Sequence, residues 1–543
     1  MRRAVLCLAL LCLAAPGPAP AAAAAGPHRF VFHLSGQLIG EESFRAEERG
    51  DTLVVKGKLS LQHPVPQDLF LETRLLLPDD RFLSYRLVSS FGDSAFARVL
   101  PGDSVRLRRT RQRGTADRAL AGRRALPLDN AVAQHMWLLA RQRRRDPAGE
   151  EGLLALVPQQ LYTGAIGWLR SETAAGLLAG EPVEIRRHYL ELAGLLEILE
   201  TDAAGELLAL RVPLQRFVIR REDYVTQELG AAPASRCPEE SVTVAGGGPP
   251  LGGTLTLPAA GDAPWPAAVL LHGSGPQDRD ATLGPNRILR QLAQGLAARG
   301  VACLRYDKRT WVINRQERRG RDYGRDITLR EEVLDDAVAA CRLLREDPRV
   351  DGGRLVIVGH SLGAGAAPTV SRELAEAGAP PAGLVLLAPP GRDLLTITLD
   401  QYAYLQQRGM VTAEQLGAYQ DQAQRYYEGR IGEDDLILFA RSRYWDSIVY
   451  WKPWEDYAAQ PAPALILFGD RDYQITASDR PAWERALAVA PRPGGELAVL
   501  PGLNHLFLPG EGEPGPTEYG LPGALPPGLL DRIAAWIVAR GDE

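Results

Sequence analysis

Gly359-His360-Ser361-Leu362-Gly363 sets a serine between two glycines. There an apolar run, Leu355-Val356-Ile357-Val358, gives way to the small residues Ala364-Gly365-Ala366-Ala367. The pattern predicts a strand, a tight turn and a helix, with the serine at the tip. Flanking glycines suit a turn in which side chains would clash, and the strained turn lifts the hydroxyl above the end of a sheet. Such a hydroxyl is a candidate nucleophile if a base can take its proton. A glycine-rich turn in a phosphate-binding α/β protein is the competing reading, and residues further along the chain discriminate between the two.

One histidine lies C-terminal to Ser361: His505, in Leu503-Asn504-His505-Leu506-Phe507, just after the strand-like run Glu496 to Leu500. It is the candidate general base. Another apolar run, Ala464 to Phe468, leads into Gly469-Asp470-Arg471-Asp472-Tyr473, where two carboxylates compete for the role of acid. Asp470 follows the glycine directly and suits turn hydrogen bonds or a pair with Arg471. Asp472 lies further into the loop, where a carboxylate can reach a histidine on a neighbouring loop, and it is assigned the role. It would fix the imidazole tautomer and stabilise the imidazolium formed when Ser361 loses its proton.

Five segments together carry a resemblance: His272-Gly273-Ser274-Gly275-Pro276-Gln277-Asp278-Arg279-Asp280, Leu304-Arg305-Tyr306-Asp307-Lys308-Arg309, the serine turn, Gly469-Asp470-Arg471-Asp472-Tyr473-Gln474, and Leu503 to Phe507. In this order, over about residues 235 to 540, the chain resembles the α/β-hydrolase superfamily, in particular secreted bacterial serine hydrolases of the esterase and serine-aminopeptidase-like branch. The resemblance implies a chain order of nucleophile, acid and base matching Ser361, Asp472 and His505. It also implies an oxyanion hole made by the backbone N–H groups of Ser274 and Leu362, and chemistry without metal or organic cofactor. It leaves the substrate open, because one scaffold serves esterases, thioesterases, peptidases and lyases. One departure touches the cleft rim: where relatives often carry glycine after Asp-Lys-Arg, this chain has Thr310-Trp311 and an arginine-rich loop.

The elements that must position these residues alternate. A strand at Val269 to Leu271, a helix over Arg287 to Gly300, a strand at Ala302 to Tyr306, a helix over Leu329 to Arg345 and a strand at Leu384 to Ala388 predict an α/β fold with a parallel sheet. Residues 391–462 interrupt it with a helical, aromatic-rich insertion expected to cap the cleft, part of its aromatic set packing as cap core and part lining an apolar cleft. Before the linker Ala231 to Ser235, residues 26–230 alternate apolar and polar positions and predict a mainly antiparallel β accessory domain. A helix is expected near Leu128 to Arg144. The run Arg141 to Arg145 reads as a solvated helix end rather than an anion site. The fold class expected is thus an α/β-hydrolase domain at 235–543, preceded by a β-rich domain.

A chain of 543 residues suits two or more domains, and a formal net charge of -5 is too mild to point to nucleic acid. Arg2-Arg3, the apolar run Ala4 to Ala15 and the small residues Ala21 to Ala25 predict a cleavable signal peptide over residues 1–25, with the mature chain starting near Gly26 in the periplasm or medium. No later run is apolar for long enough to anchor the chain in a membrane. Leu10-Leu11 before Cys12 lacks the small residue expected ahead of a lipidated cysteine. Cys237, Cys303 and Cys341 remain after cleavage, with no metal-ligand spacing and an odd count that excludes full intrachain pairing.

The function expected from these residues is hydrolysis of a small-molecule ester or acyl substrate through an acyl-enzyme. Two alternatives share the triad, a thioesterase and an aminopeptidase-like enzyme. The latter needs acidic residues for a free α-amine, with Glu331, Glu332, Asp434 and Asp435 as candidates. A non-catalytic binding protein on the same scaffold is a third reading. The oligomeric state is not legible.

Overall fold

The computed structural model describes residues 27–541, apart from 63–64, 111–113, 130–131, 148–151, 193, 226–236, 318–326 and 433–434. The segment 1–25 expected to be a signal peptide, the expected cleavage point near Gly26, the expected linker Ala231 to Ser235 and Asp434 lie outside the described residues. The chain divides into two compact units. The first comprises residues up to His33, Leu38–Thr163 and Ile219–Asp223; the second comprises Leu34–Gln37, Gly164–Val218 and everything from Tyr224 onward.

The first unit is an antiparallel meander. Thr52–Leu61, Gln67–Leu76, Arg81–Ser89, Ser94–Leu100, Ser104–Arg109 and Gly114–Ala119 pair in sequence order. Alternation supplies the inner face: along Gln67–Leu76, Leu69, Leu71, Thr73 and Leu75 are buried while Phe70 is exposed. The helix Ala133–Arg145 starts without a cap from its own N-cap residue, Val132. Glu42 supplies one from the sheet, accepting Ala133 N–H at 2.7 Å and Gln134 N–H at 3.1 Å. At the other end Asp80 binds Arg141 at 2.6 Å and Arg145 at 3.0 Å. Two arginines of the basic run therefore neutralise a carboxylate of their own unit.

The second unit holds two kinds of sheet. Tyr162–Leu178, Glu181–Leu192, Leu195–Asp202 and Leu207–Val212 form an antiparallel meander. Although read in the sequence with the residues before 230, Gly164–Val218 belongs to the same compact unit as the hydrolase residues. Leu521 packs on the cluster Tyr189, Leu196 and Ile198, and Thr517 Oγ1 donates to Gly194 O at 3.2 Å.

Among the described residues the other sheet has eight strands, in the order Glu239–Val244, Leu251–Thr256, Ala302–Tyr306, Trp265–Leu271, Val350–His360, Gly383–Leu387, Ala464–Gly469 and Glu496–Leu500. The first two are antiparallel to each other, and Leu251–Thr256 is antiparallel to Ala302–Tyr306. All later pairings are parallel. Parallel strands covered on both faces read as continuous apolar runs, and Ala267–Leu271, Leu355–Val358 and Ala464–Phe468 are buried throughout. Ile288–Ala297, Asp335–Arg345, Leu362–Glu376 and Pro527–Val538 are the main covering helices. The insertion carries the helices Leu394–Gln407 and Ala413–Tyr427 with shorter ones after them.

Cys237, Cys303 and Cys341 are buried in this unit. Among the described residues no helix is long and apolar enough to cross a membrane, and no group of three or more His, Cys, Asp or Glu side chains could hold a metal ion.

Candidate active site

Ser361 stands between the strand Val350–His360 and the helix Leu362–Glu376, with φ 54° and ψ −119°. Positive φ is costly for a residue with a Cβ, so the surroundings must hold it there. Ser361 N–H donates to Leu387 O at 2.8 Å, and Ser361 O accepts Gly365 N–H at 3.0 Å. The two glycines permit close packing. A Cβ on Gly359 would run into the backbone of Gly363 and Ala364, and one on Gly363 would lie 2.8 Å from Leu271 C. The helix start is thereby pressed against the strand Trp265–Leu271, and alanine at either position would displace the serine.

His505 lies in the loop after Glu496–Leu500. Its Nδ1–H donates to Asp472 Oδ2 at 2.7 Å, and both residues are buried. The other oxygen of Asp472 accepts Gln474 N–H at 2.7 Å and Ile475 N–H at 2.9 Å. The carboxylate is fixed on both sides; in a neutral imidazole that donates from Nδ1, the other nitrogen, Nε2, carries the lone pair. Asp470 instead accepts Gly502 N–H at 2.7 Å, a turn bond joining the two loops. Of the two competing carboxylates, Asp472 is the one bonded to the histidine.

Two residues that the sequence reading passed over hold His505. His360 donates from Nε2 to His505 O at 2.8 Å, and the two rings are 4.8 Å apart. Burial, with His505 beside it, lowers the His360 pKa to about 4, so it is a neutral donor at neutral pH. This bond ties the base's backbone to the residue immediately before Ser361. Asn504 Oδ1 accepts the N–H groups of Leu506 at 3.0 Å and Leu508 at 3.2 Å, while its Nδ2 donates to Glu518 at 3.1 Å. Both lie in segments that carry the resemblance, His360 in the serine turn and Asn504 in Leu503 to Phe507, and no further cue in the sequence marks the role of either.

The loop after Trp265–Leu271 reaches the serine from the other side. A Cβ on Gly273 would sit 3.2 Å from Ser361 Cβ and 3.3 Å from His360 Nδ1. Gln277 Nε2 donates to Ser274 O at 2.9 Å, and His272 Nε2 bonds Asp278 O at 3.1 Å. Burial, then the charge of Lys308, lowers the His272 pKa to about 3. Arg279 bridges to Asp307 at 2.8 Å, locking this loop to the segment after Ala302–Tyr306. Leu362, the first helical residue after Ser361, is fully buried, whereas Ser274 is exposed.

Residues 268–516, the stretch that carries Ser361, Asp472, His505 and the loop after Trp265–Leu271, match the alpha/beta hydrolase family. The chain is also 36% identical over 301 residues to Esterase EstD of Thermotoga maritima, covering 55% of this chain and 67% of that protein. The chain belongs to the α/β-hydrolase family. Among solved structures, Est1E from Butyrivibrio proteoclasticus is similar at 15% identity and a TM-score of 0.36, over 56% of this chain and 99% of that one. An esterase from Pyrobaculum calidifontis is similar at 17% identity and a TM-score of 0.37, over 56% and 85%.

In this α/β hydrolase the aromatics of the insertion divide between buried and exposed positions. Tyr426, Trp445 and Tyr457 are buried as core, while Tyr427, Phe439 and Tyr450 are exposed. Trp451 reaches the helix after Ser361, where a Cβ on Gly365 would lie 2.9 Å from its ring. The described acidic candidates for an amine site are engaged elsewhere. Glu331 accepts from Thr328 N–H at 2.9 Å, Glu332 pairs with Lys308 at 2.6 Å, and Asp435 accepts Gly432 N–H at 2.9 Å.

Proposed function

We propose that this α/β hydrolase cleaves carboxylic esters of small molecules through an acyl-enzyme on Ser361. Ser361 Oγ attacks the ester carbonyl carbon while its proton passes to His505. The negative charge forming on the carbonyl oxygen is held by the N–H groups of Ser274 and Leu362. Collapse of the tetrahedral species breaks the bond to the alkoxide, which takes the proton from His505. Water, deprotonated by the same imidazole, then releases the acid. Asp472 keeps the imidazole oriented and offsets its positive charge in the intermediate states.

The observation that carries this reading is the 2.7 Å bond from His505 to Asp472, in a loop whose backbone is tied to the residue before the strained serine. The engagement of Glu331, Glu332 and Asp435 favours esters over substrates with a free α-amine, and the 36% identical esterase points the same way. We also propose export: the mature protein, isolated from the periplasm or medium, should give an N-terminal sequence starting near Gly26.

Turnover of a p-nitrophenyl ester series against a matched aminoacyl-anilide series tests the substrate class; faster cleavage of the anilides would overturn it. A fluorophosphonate probe should label the wild type and spare Ser361→Ala. Equal labelling of both would remove Ser361 from the nucleophile's role.

A further inference from the structure

Lys308 and Glu332 form an ion pair at 2.6 Å with each side chain only 3% exposed. Burying two charges is costly, and an apolar pair of similar volume is often as stable or more so, so stability alone does not explain this one. What the pair touches offers a reason. Lys308 Nζ also donates to Gly273 O at 2.7 Å. The carbonyl of Gly273 and the N–H of Ser274 belong to one trans peptide, in which they point in opposite directions. Holding the carbonyl on the lysine side turns the Ser274 N–H to the other side. An ammonium on the carbonyl also polarises the peptide and strengthens its N–H as a donor.

The far end of the pair leads into the insertion. Tyr444 donates its hydroxyl proton to Glu332 Oε2 at 2.6 Å, and Leu329 N–H donates to Ser447 Oγ at 3.0 Å. Glu332 sits on a single widened helical turn, Arg330–Leu334, which leads into the regular helix Asp335–Arg345. A turn of this kind often marks a functional position.

We infer that Lys308 is a positioning residue for the oxyanion hole, aiming the Ser274 N–H through the Gly273 carbonyl, and that Tyr444 ties the insertion to that peptide through Glu332. The chain of contacts is Tyr444, Glu332, Lys308, Gly273. It rests on the reading of the Ser274 N–H as an oxyanion donor. The lysine touches neither substrate nor reacting atoms. Its contribution therefore appears in the transition state and in analogues of the tetrahedral species, and not in ground-state binding.

The test uses the full chain, p-nitrophenyl acetate as substrate and an aryl trifluoromethyl ketone, which forms a tetrahedral adduct on a reactive serine. Lys308→Met/Glu332→Met removes both charges together and leaves neither stranded. Its kcat should fall roughly 10- to 100-fold, less than the 10²–10³ for deleting a donor outright. KM should stay within threefold, and the ketone should bind more weakly by the same factor as kcat falls. Unchanged kcat and ketone affinity, or a rise in KM at constant kcat, overturns the inference. Tyr444→Phe keeps the ion pair and keeps the test decisive should the double variant fail to fold. A parallel fall of roughly threefold or more in kcat and ketone affinity supports the relay, and values within twofold of wild type overturn it. Ser361→Ala, assayed alongside, separates the two layers. Wild-type turnover in that variant brings down the serine mechanism itself, whatever Lys308 does.

Discussion

Glu42 and Asp129 in the first unit are enclosed by backbone donors: Glu42 by the N–H groups of Ala133 and Gln134, Asp129 by Gln159 N–H at 3.0 Å. In the second unit, around the serine turn, each deeply buried carboxylate faces a basic side chain: Asp472 on His505, Glu332 on Lys308, Asp336 on Arg309 and Asp479 on Arg392. Burial pushes both Glu42 and Asp129 up to about 7. Near neutral pH these two acids can discharge by taking up protons, whereas Asp80 of the same unit is held by Arg141 and Arg145. The hydrolase instead holds its acids in place with partners, as fixed charges must be held where bond-making needs preorganised electrostatics. Glu197, on the meander Gly164–Val218 shares, behaves like the first unit, since burial raises it to about 7 as well. Glu200 on the same meander is instead paired with Arg187 at 2.8 Å and Arg211 at 3.3 Å, so the contrast follows the partner each carboxylate has and not the division into units.

The largest effect expected is on chemistry. His505→Ala and Ser361→Ala should each lower kcat by roughly 10³-fold or more while leaving the melting of the first unit unchanged. A far smaller loss on a p-nitrophenyl ester would break the assignment of fixed charge to this site. Asp472→Asn comes next, at roughly 10²- to 10⁴-fold in kcat, because the amide favours the wrong tautomer of His505. Circular dichroism should show the fold retained.

Stability separates the regions further. Arg309→Met strands Asp336, whose pKa burial already raises, and should cost about 3–5 kcal/mol in urea unfolding. Glu42→Gln resembles the protonated acid already accommodated there and should cost about 1 kcal/mol near pH 5. A larger loss for Glu42→Gln than for Arg309→Met would reverse the comparison.

The pH dependence has a definite sign. Because the folded pKa of Glu42 lies above that of the unfolded chain, the folded state binds more protons between about 4.5 and about 7. Its contribution is fully present below that window and is lost as pH rises through it. Glu42→Gln should flatten the slope of first-unit unfolding free energy against pH, measured in a buffer series at constant ionic strength.

What could be read from the sequence was local. The apolar run, glycine, serine and helix start are contiguous, and an imidazole and a carboxylate after consecutive strands need only the strand order to be brought together. The choice of Asp472 over Asp470 turned on two residues of loop length. Lys308, Glu332, Gly273 and Tyr444 are scattered over 172 positions by numbering, from 273 to 444, and no periodicity joins them. Glu332 even looked available as an amine ligand, because a sequence shows that a carboxylate exists but not what already occupies it. The membership of Gly164–Val218 in the second unit was hidden for a related reason. Its alternating strands match those before them, and only side chains such as Leu196, packed near Gly520, show which neighbour they serve.

The three buried cysteines of the second unit have a practical use. Cys303 lies in a central strand and Cys341 in a covering helix, with burial raising both thiols, Cys341 to about 12. Thiols so enclosed are poor nucleophiles while the protein stays closed. Their modification by a maleimide dye would thus count opening events, making the hydrolase its own clock for native-state exposure without an engineered label.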